Sequence, residues 1–263
     1  MRILAIGDIV GRVGREYVYR NLNKIRDKYK IDFVVANGEN AAETNGINPE
    51  IADRLIERGV DVITMGNHTF SCKNGEIAME DNTRIIRPLN FPPELEGRGY
   101  VEVDMGYATV TVINLVGRVG MNPADCPFRA VESALKHITS DIIIVDMHAE
   151  ATSERLAMGY FLDGKAQIVF GTHTHVQTAD EQILPGGTGY ISDLGMTGVK
   201  DSILGTKKDI VLDFFYKSGK RVKFMKETEG VVRLCGCIFE IDNKTKKVTG
   251  VERLSIEGEV KNE

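Results

Sequence analysis

Short apolar runs recur along the chain, each closed by glycine or a polar residue and followed by a segment with helical spacing. Segments 2-RILAIG-7, 32-DFVVAN-37 and 61-DVITMG-66 read as strands, with helices predicted over 14-GREYVYRNLNKIRDKY-29 and 49-PEIADRLIER-58. A looser middle carries paired strands near 100-YVEVDM-105 and 109-TVTVINL-115. The alternation then resumes with helix 127-PFRAVESALKHI-138, strand 141-DIIIVDM-147, helix 152-TSERLAMGYFL-162 and strand 167-QIVF-170. Strands so uniformly apolar predict a sheet covered on both faces by helices. The last part changes character. A helix over 208-KDIVLDFFYK-217 precedes alternating segments 221-RVKFMKE-227, 231-VVRLCGCIFEID-242 and 247-KVTGVERLSIEG-258. The turns SGK and DNKTKK between them predict antiparallel strands. The fold class expected is α/β, a layered sandwich of mixed β-sheets flanked by helices. No repeat, low-complexity tract or long linker interrupts it, and 263 residues fit one large domain spanning 1–263.

Composition narrows the function more than the fold. A hydrophobic content of 42% is enough for a full core. The net charge of -5 argues against a nucleic-acid surface built on bulk positive potential, but not against a small phosphate-bearing substrate held by local charge. Of the four cysteines, Cys72, Cys126, Cys235 and Cys237, the last two form C-x-C, which places both on one face of a strand. All four read as reduced thiols. The first residues are already a strand, no signal peptide is visible, and no apolar run approaches membrane-span length; the expected location is the cytoplasm, with no membrane partner.

The polar residues that end the strands carry the chemistry. Asp8 follows the first strand, Glu39 and Asn40 the second, and Asn67 and His68 the third; His148 closes strand 141–147, while His173 and His175 follow strand 167–170. Open α/β sheets build their sites at this carboxyl edge. Singly, an Asp or Asn there is more often a turn former, and a histidine a hydrogen-bonded structural residue. Four of the chain's five histidines at one edge is a different matter. His137, on the 127–138 helix, reads as structural, and Glu43 and Asn45 as loop chemistry. Imidazole nitrogens and carboxylate oxygens together suit divalent first-row metals, and seven candidate ligands beside His68 exceed what one tetrahedral ion needs. Two ions sharing a bridging carboxylate would use them all. The rival 7-GDIVGRVG-14 spells G-x-x-x-G-x-x-G, neither the dinucleotide fingerprint nor a Walker sequence, and no G-x-S-x-G elbow is present.

Taken in order, 7-GDIVG-11, 38-GEN-40, 66-GNH-68, His148 and 171-GTHTH-175 resemble the motifs of the calcineurin-like metallophosphoesterases. The chain is most similar to their YmdB-like branch, the bacterial 2′,3′-cyclic-nucleotide 2′-phosphodiesterases. Two positions depart from the wider superfamily: Val10 stands where a ligand histidine is usual, and Glu39 where the bridging Asp is usual. The resemblance implies that Asn40 replaces the missing histidine and that Glu39 bridges. It further implies one ion on Asp8, Glu39, Asn40 and His175, and another on Glu39, Asn67, His148 and His173. His68 is left as the acid. The implied cofactors are two divalent transition-metal ions, iron or manganese.

The activity so implied is attack of a metal-bound hydroxide on phosphorus, opening a 2′,3′-cyclic nucleotide to a 3′-nucleotide while His68 protonates the departing 2′-oxygen. With only Asp8 and Glu39 anionic, two divalent ions would leave the cluster at about +2 and draw in a phosphodiester. Two other readings compete: a phosphomonoesterase or protein phosphatase using the same metals, and a regulatory protein binding a nucleotide or RNA end without turnover. Phe70, Arg118, Phe128 and Tyr160 are the candidates for a base pocket. The late antiparallel strands could supply a homo-oligomer interface.

Overall fold

The apolar strands pack as two mixed sheets facing each other, so each strand meets helices on one side and the opposite sheet on the other. The sequence predicts helices on both faces; the second cover is instead a sheet, whose apolar surface excludes water equally well. The structure is a computed structural model that describes residues 1–217 and 222–259.

Strands β1 (Arg2–Ile6) and β2 (Asp8–Ile9) lead into α1 (Gly11–Tyr29), β3 (Phe33–Asn37), α2 (Pro49–Glu57) and β4 (Val62–Thr64). Two short elements with no clear periodic signal follow, α3 (Gly75–Asp81) and β5 (Ile85–Ile86). The chain then forms β6 (Tyr100–Asp104), β7 (Thr109–Val116), α4 (Pro127–Leu135), β8 (Ile142–His148), α5 (Thr152–Leu162) and β9 (Ile168–Thr172). Last come β10 (Gln182–Ile183), β11 (Gly189–Ile191), β12 (Met196–Val199), α6 (Lys208–Tyr216), β13 (Val231–Ile241) and β14 (Val248–Glu259). The first sheet runs β2-β12-β13-β1-β3-β4-β5, with β14 also paired to β13; the second runs β10-β11-β9-β8-β7-β6. The pairs β1–β3, β3–β4, β7–β8 and β8–β9 are parallel, which gives each sheet a set of carboxyl ends pointing the same way.

Strand alternation divides the apolar residues between layers. Ile3, Ala5, Phe33 and Val35 face Val112, Ile144, Ile168 and Phe170 of the opposite sheet. Leu4, Ile6, Val34 and Ala36 face the other way, onto Val18, Leu22 and Ile25 of α1 and Leu55 of α2. On the far side, Ile143, Val145 and Met147 pack on Val131 of α4 and on Met158 and Leu162 of α5. Asn48 caps α2 by accepting the Ile51 N–H at 2.9 Å, with Pro49 in the first turn, where no amide hydrogen is needed.

Three expectations need correction. The helix predicted over 127–138 ends at Leu135, so His137 is an exposed residue of the following turn. Helix α1 begins three residues earlier than predicted, at Gly11, whose φ of 62° few side chains would tolerate. The strand predicted over 221–227 does not form among the described residues: Lys226 makes one antiparallel bridge to Thr206. The segment is an irregular strap, and its consecutive residues Phe224, Met225 and Lys226 all line one cavity. Arg221 and the predicted SGK turn lie outside the described residues. No described helix is long and apolar enough to cross a membrane.

Candidate metal centre

Both sets of carboxyl ends open onto one edge, and the seven candidate ligands meet there. The first sheet supplies Asp8 from β2, Glu39 and Asn40 from the turn after β3, and Asn67 after β4. The second supplies His148, the last residue of β8, and His173 and His175 just beyond β9. Asp8, Glu39 and His148 are fully buried or nearly so, and Asn40 is buried too.

The donor atoms fall into two sets. In one, His148 Nε2 lies 3.0 Å from Asn67 Oδ1, 3.2 Å from Glu39 Oε1 and 3.1 Å from His173 Nδ1. In the other, Asn40 Nδ2 lies 3.0 Å from Glu39 Oε1, 3.2 Å from His175 Nε2 and 3.5 Å from Asp8 Oδ1, while His175 Nε2 is 3.6 Å from Asp8 Oδ1. Atoms bound at about 2.1 Å to a common cation sit roughly 3.0–3.4 Å apart, so the first set fits metal coordination and the second does so apart from the slightly longer separations to Asp8. Glu39 Oε1 is the atom common to the two sets, because Glu39 Oε2 instead accepts the His68 backbone N–H at 3.0 Å. The Asn40 amide turns its nitrogen to these acceptors; a half-turn would offer its oxygen to a cation.

Outer partners decide which nitrogen each histidine presents. His175 Nδ1 is 3.1 Å from the Leu204 carbonyl, which can only accept, so Nδ1 carries the proton and Nε2 is left bare toward Asp8. The Thr172 hydroxyl gives its one proton to Asp146 Oδ1 at 2.7 Å and must therefore accept from His148 Nδ1, 2.9 Å away. Glu150 Oε2 accepts from His173 Nε2 at 3.1 Å. Three imidazoles thus turn bare nitrogens inward, as ligands require, each oriented from behind by an oxygen.

Electrostatics favour positive charge at the same place. Burial alone would raise Asp8, yet His175 and His148 outweigh it and hold its carboxyl far below the usual range. Glu39 is likewise lowered against its burial, chiefly by His148. Burial disfavours imidazolium, but Glu39 and Asp8 raise His148 to about 9 and Asp8 raises His175. His173 goes down, through burial and the neighbouring His148. A proton and a metal cation compete for such nitrogens.

Several supporting residues escaped sequence reasoning. His173 and His175 have φ of 105° and 63°, and Thr174 between them is held by Asp193, which accepts its N–H at 3.1 Å and its hydroxyl at 2.7 Å. Asp193 is itself paired with the buried Arg155. Below the site, Asp146 accepts from Thr64 at 2.5 Å and from Asn37 at 3.2 Å, and burial pushes its carboxyl up to about 7. An acidic residue inside the apolar run IIIVDM was the available signal; Asp193 had none.

His68 stands at the rim with Nδ1 3.3 Å from Ser71 Oγ, facing a cavity of about 560 Å³. Glu43 and Asn45 line that cavity, whereas Phe70, Arg118, Phe128 and Tyr160 do not. The four proposed base-pocket residues are engaged or placed elsewhere. Phe70 packs on Phe91 and Phe128 on Phe161, while the Arg118 backbone is tied to Glu154.

Residues 4–254 match the family described as YmdB-like protein. A Bacillus subtilis relative described as 2′,3′-cyclic-nucleotide 2′-phosphodiesterase is 44% identical, covering 97% of each chain. Among solved structures, a hypothetical protein from Thermus thermophilus superposes with TM-score 0.91 at 36% identity, covering 98% of this chain and 99% of the other. A structure described as a novel phosphatase from Mycoplasma pneumoniae superposes with TM-score 0.91 at 33% identity, covering 98% and 93%.

Proposed function

The chain belongs to the YmdB-like family, and on that footing we propose that it is a metal-dependent 2′,3′-cyclic-nucleotide 2′-phosphodiesterase. The observation that carries this reading is Glu39 Oε1, shared by two sets of donors whose spacings suit cations. The B. subtilis relative's activity supports the substrate class.

Asp8, Glu39, Asn40 and His175 would hold one divalent ion, and Glu39, Asn67, His148 and His173 the other, with iron or manganese suited to this mixed oxygen and nitrogen set. Bound there, two such ions would activate a water as nucleophile and neutralise the phosphate oxygens. The chain's own residues do the rest. Thr172, Glu150 and the Leu204 carbonyl keep the three imidazoles in register. The Glu39 carboxylate is fixed from behind by the His68 N–H. His68, half-buried and facing the cavity, gives a proton to the departing 2′-oxygen as general acid.

A phosphomonoesterase is the second reading, favoured by the phosphatase description of the Mycoplasma structure. Cyclic nucleotides, linear diesters and monoesters assayed side by side with added manganese separate the two. Preferred turnover of 2′,3′-cyclic nucleotides, yielding 3′-nucleotides, is expected; turnover confined to monoesters would overturn the diesterase.

A further inference from the structure

The cavity above the metal-side residues has an apolar wall. Leu204, Phe224 and Met225 line it and are 49%, 53% and 45% exposed, although each is a large hydrophobic side chain. They come from two segments clipped together: Lys207 N–H donates to the Met225 carbonyl at 3.0 Å and Glu227 N–H to the Gly205 carbonyl at 2.8 Å. The strap is also pinned to the centre, because Lys226 Nζ donates to the carbonyls of Asn40 and Ala42 at 2.5 and 2.6 Å. Behind the wall, the Phe224 ring is held at 61° against Phe214 with centroids 5.3 Å apart. Phe224 is therefore an aromatic surface backed by a second ring, set in the cavity of the candidate metal centre and left about half-exposed by the described chain.

A flat apolar ring in the same cavity as the candidate ligands serves the end of a substrate that bears no charge. For a nucleotide that end is the base, and aromatic side chains bind bases by stacking with little dependence on which base it is. We propose that Phe224, flanked by Leu204 and Met225, is the stacking platform for the base of a nucleotide phosphodiester substrate. The inference rests on the diesterase reading and adds to it where the base is held, and by what contact. The polar residues Glu43, Thr44 and Asn45 line the same cavity and are placed to meet a base edge or the ribose.

The test compares kcat/KM of the full chain, loaded with manganese, on an adenosine 2′,3′-cyclic phosphate and on base-free ribose 2′,3′-cyclic phosphate. The wild type is expected to favour the nucleotide. Phe224→Ala should cost the nucleotide roughly 5- to 150-fold, mainly in KM, which corresponds to a stacking contribution of about 1–3 kcal/mol. The loss on the base-free ester should be far smaller, and Phe224→Tyr should restore the nucleotide preference. Equal loss on both esters, or none on the nucleotide, would overturn the platform while leaving the diesterase standing. Wild-type turnover of neither cyclic ester would overturn the diesterase and the platform together.

Discussion

Gly66 sits against His148 so closely that a Cβ on it would lie 2.3 Å from His148 Cδ2 and 2.4 Å from Glu39 Oε2. The glycine of the G-N-H motif is thus a matter of clearance: its missing side chain is the space in which an imidazole and a carboxylate meet. Gly66→Ala should displace both groups, abolish metal retention and lower stability by about 1–3 kcal/mol, as overpacking of a filled site does. Elemental analysis and a denaturant titration on one preparation check it; full metal content in a stable Gly66→Ala protein would contradict the geometry.

Glu39→Gln should weaken both metal sites together, because Oε1 is the atom their donor sets share. Asn40→Ala should weaken one selectively. Stepwise metal titrations distinguish these outcomes, and selective loss of one ion from Glu39→Gln would show an ordinary single-site ligand.

His68→Ala should retain both metals and lose roughly 10²–10⁴-fold on a cyclic nucleotide, whose ribose oxygen departs badly without a proton. A nitrophenyl phosphodiester, with a good leaving group, should suffer much less. Equal losses with a metal missing would make His68 a ligand, and equal losses with both metals present would make it a phosphate-positioning group.

Arg155→Met leaves Asp193 buried without its ion pair, a change that typically costs about 3–5 kcal/mol. Since Asp193 also holds Thr174 between the two strained histidines, metal affinity should fall as well. The denaturation midpoint and a metal competition assay read the two effects, and an unchanged midpoint would discount the pair.

Burial pushes Tyr190 and Tyr19 up to about 12, from an ordinary value of 10.0. The folded chain therefore keeps protons that the unfolded chain releases near pH 10, and stability should fall as pH rises from about 10 toward 12. Denaturation midpoints across that window check the sign; Tyr190→Phe should flatten part of the decline.

The donors were legible because each ends an apolar strand, where one polar residue breaks a hydrophobic pattern. Their grouping came from the family resemblance and not from spacing, since Asp8 and His173, joined by a 3.1 Å hydrogen bond, are 165 residues apart. The layered sandwich of mixed sheets was legible, but which cover lies on which face was not: a strand such as 33–37 looks the same whether its second cover is a helix or another sheet. The alternation of Val222, Phe224 and Lys226 suggests a strand, yet Phe224, Met225 and Lys226 in succession line one cavity, and the segment makes a single bridge to Thr206. Arg155 and Asp193 carried no local mark.

Every oxygen or amide donor at the centre comes from one sheet and every imidazole from the other. Apolar contact holds most of the seam between the two layers and has little direction within the plane; below the centre, Asp146 accepting from Thr64 and Asn37, and Asn114 accepting the Met65 N–H, add a few directed ties. A cation gripped from both sides would act as a rivet through the seam. Registry between the layers, and not only catalysis, would then depend on metal supply. Chelation would leave those few hydrogen bonds as the directed ties across the seam, so loss of cofactor would reach the cell first as a loosened protein.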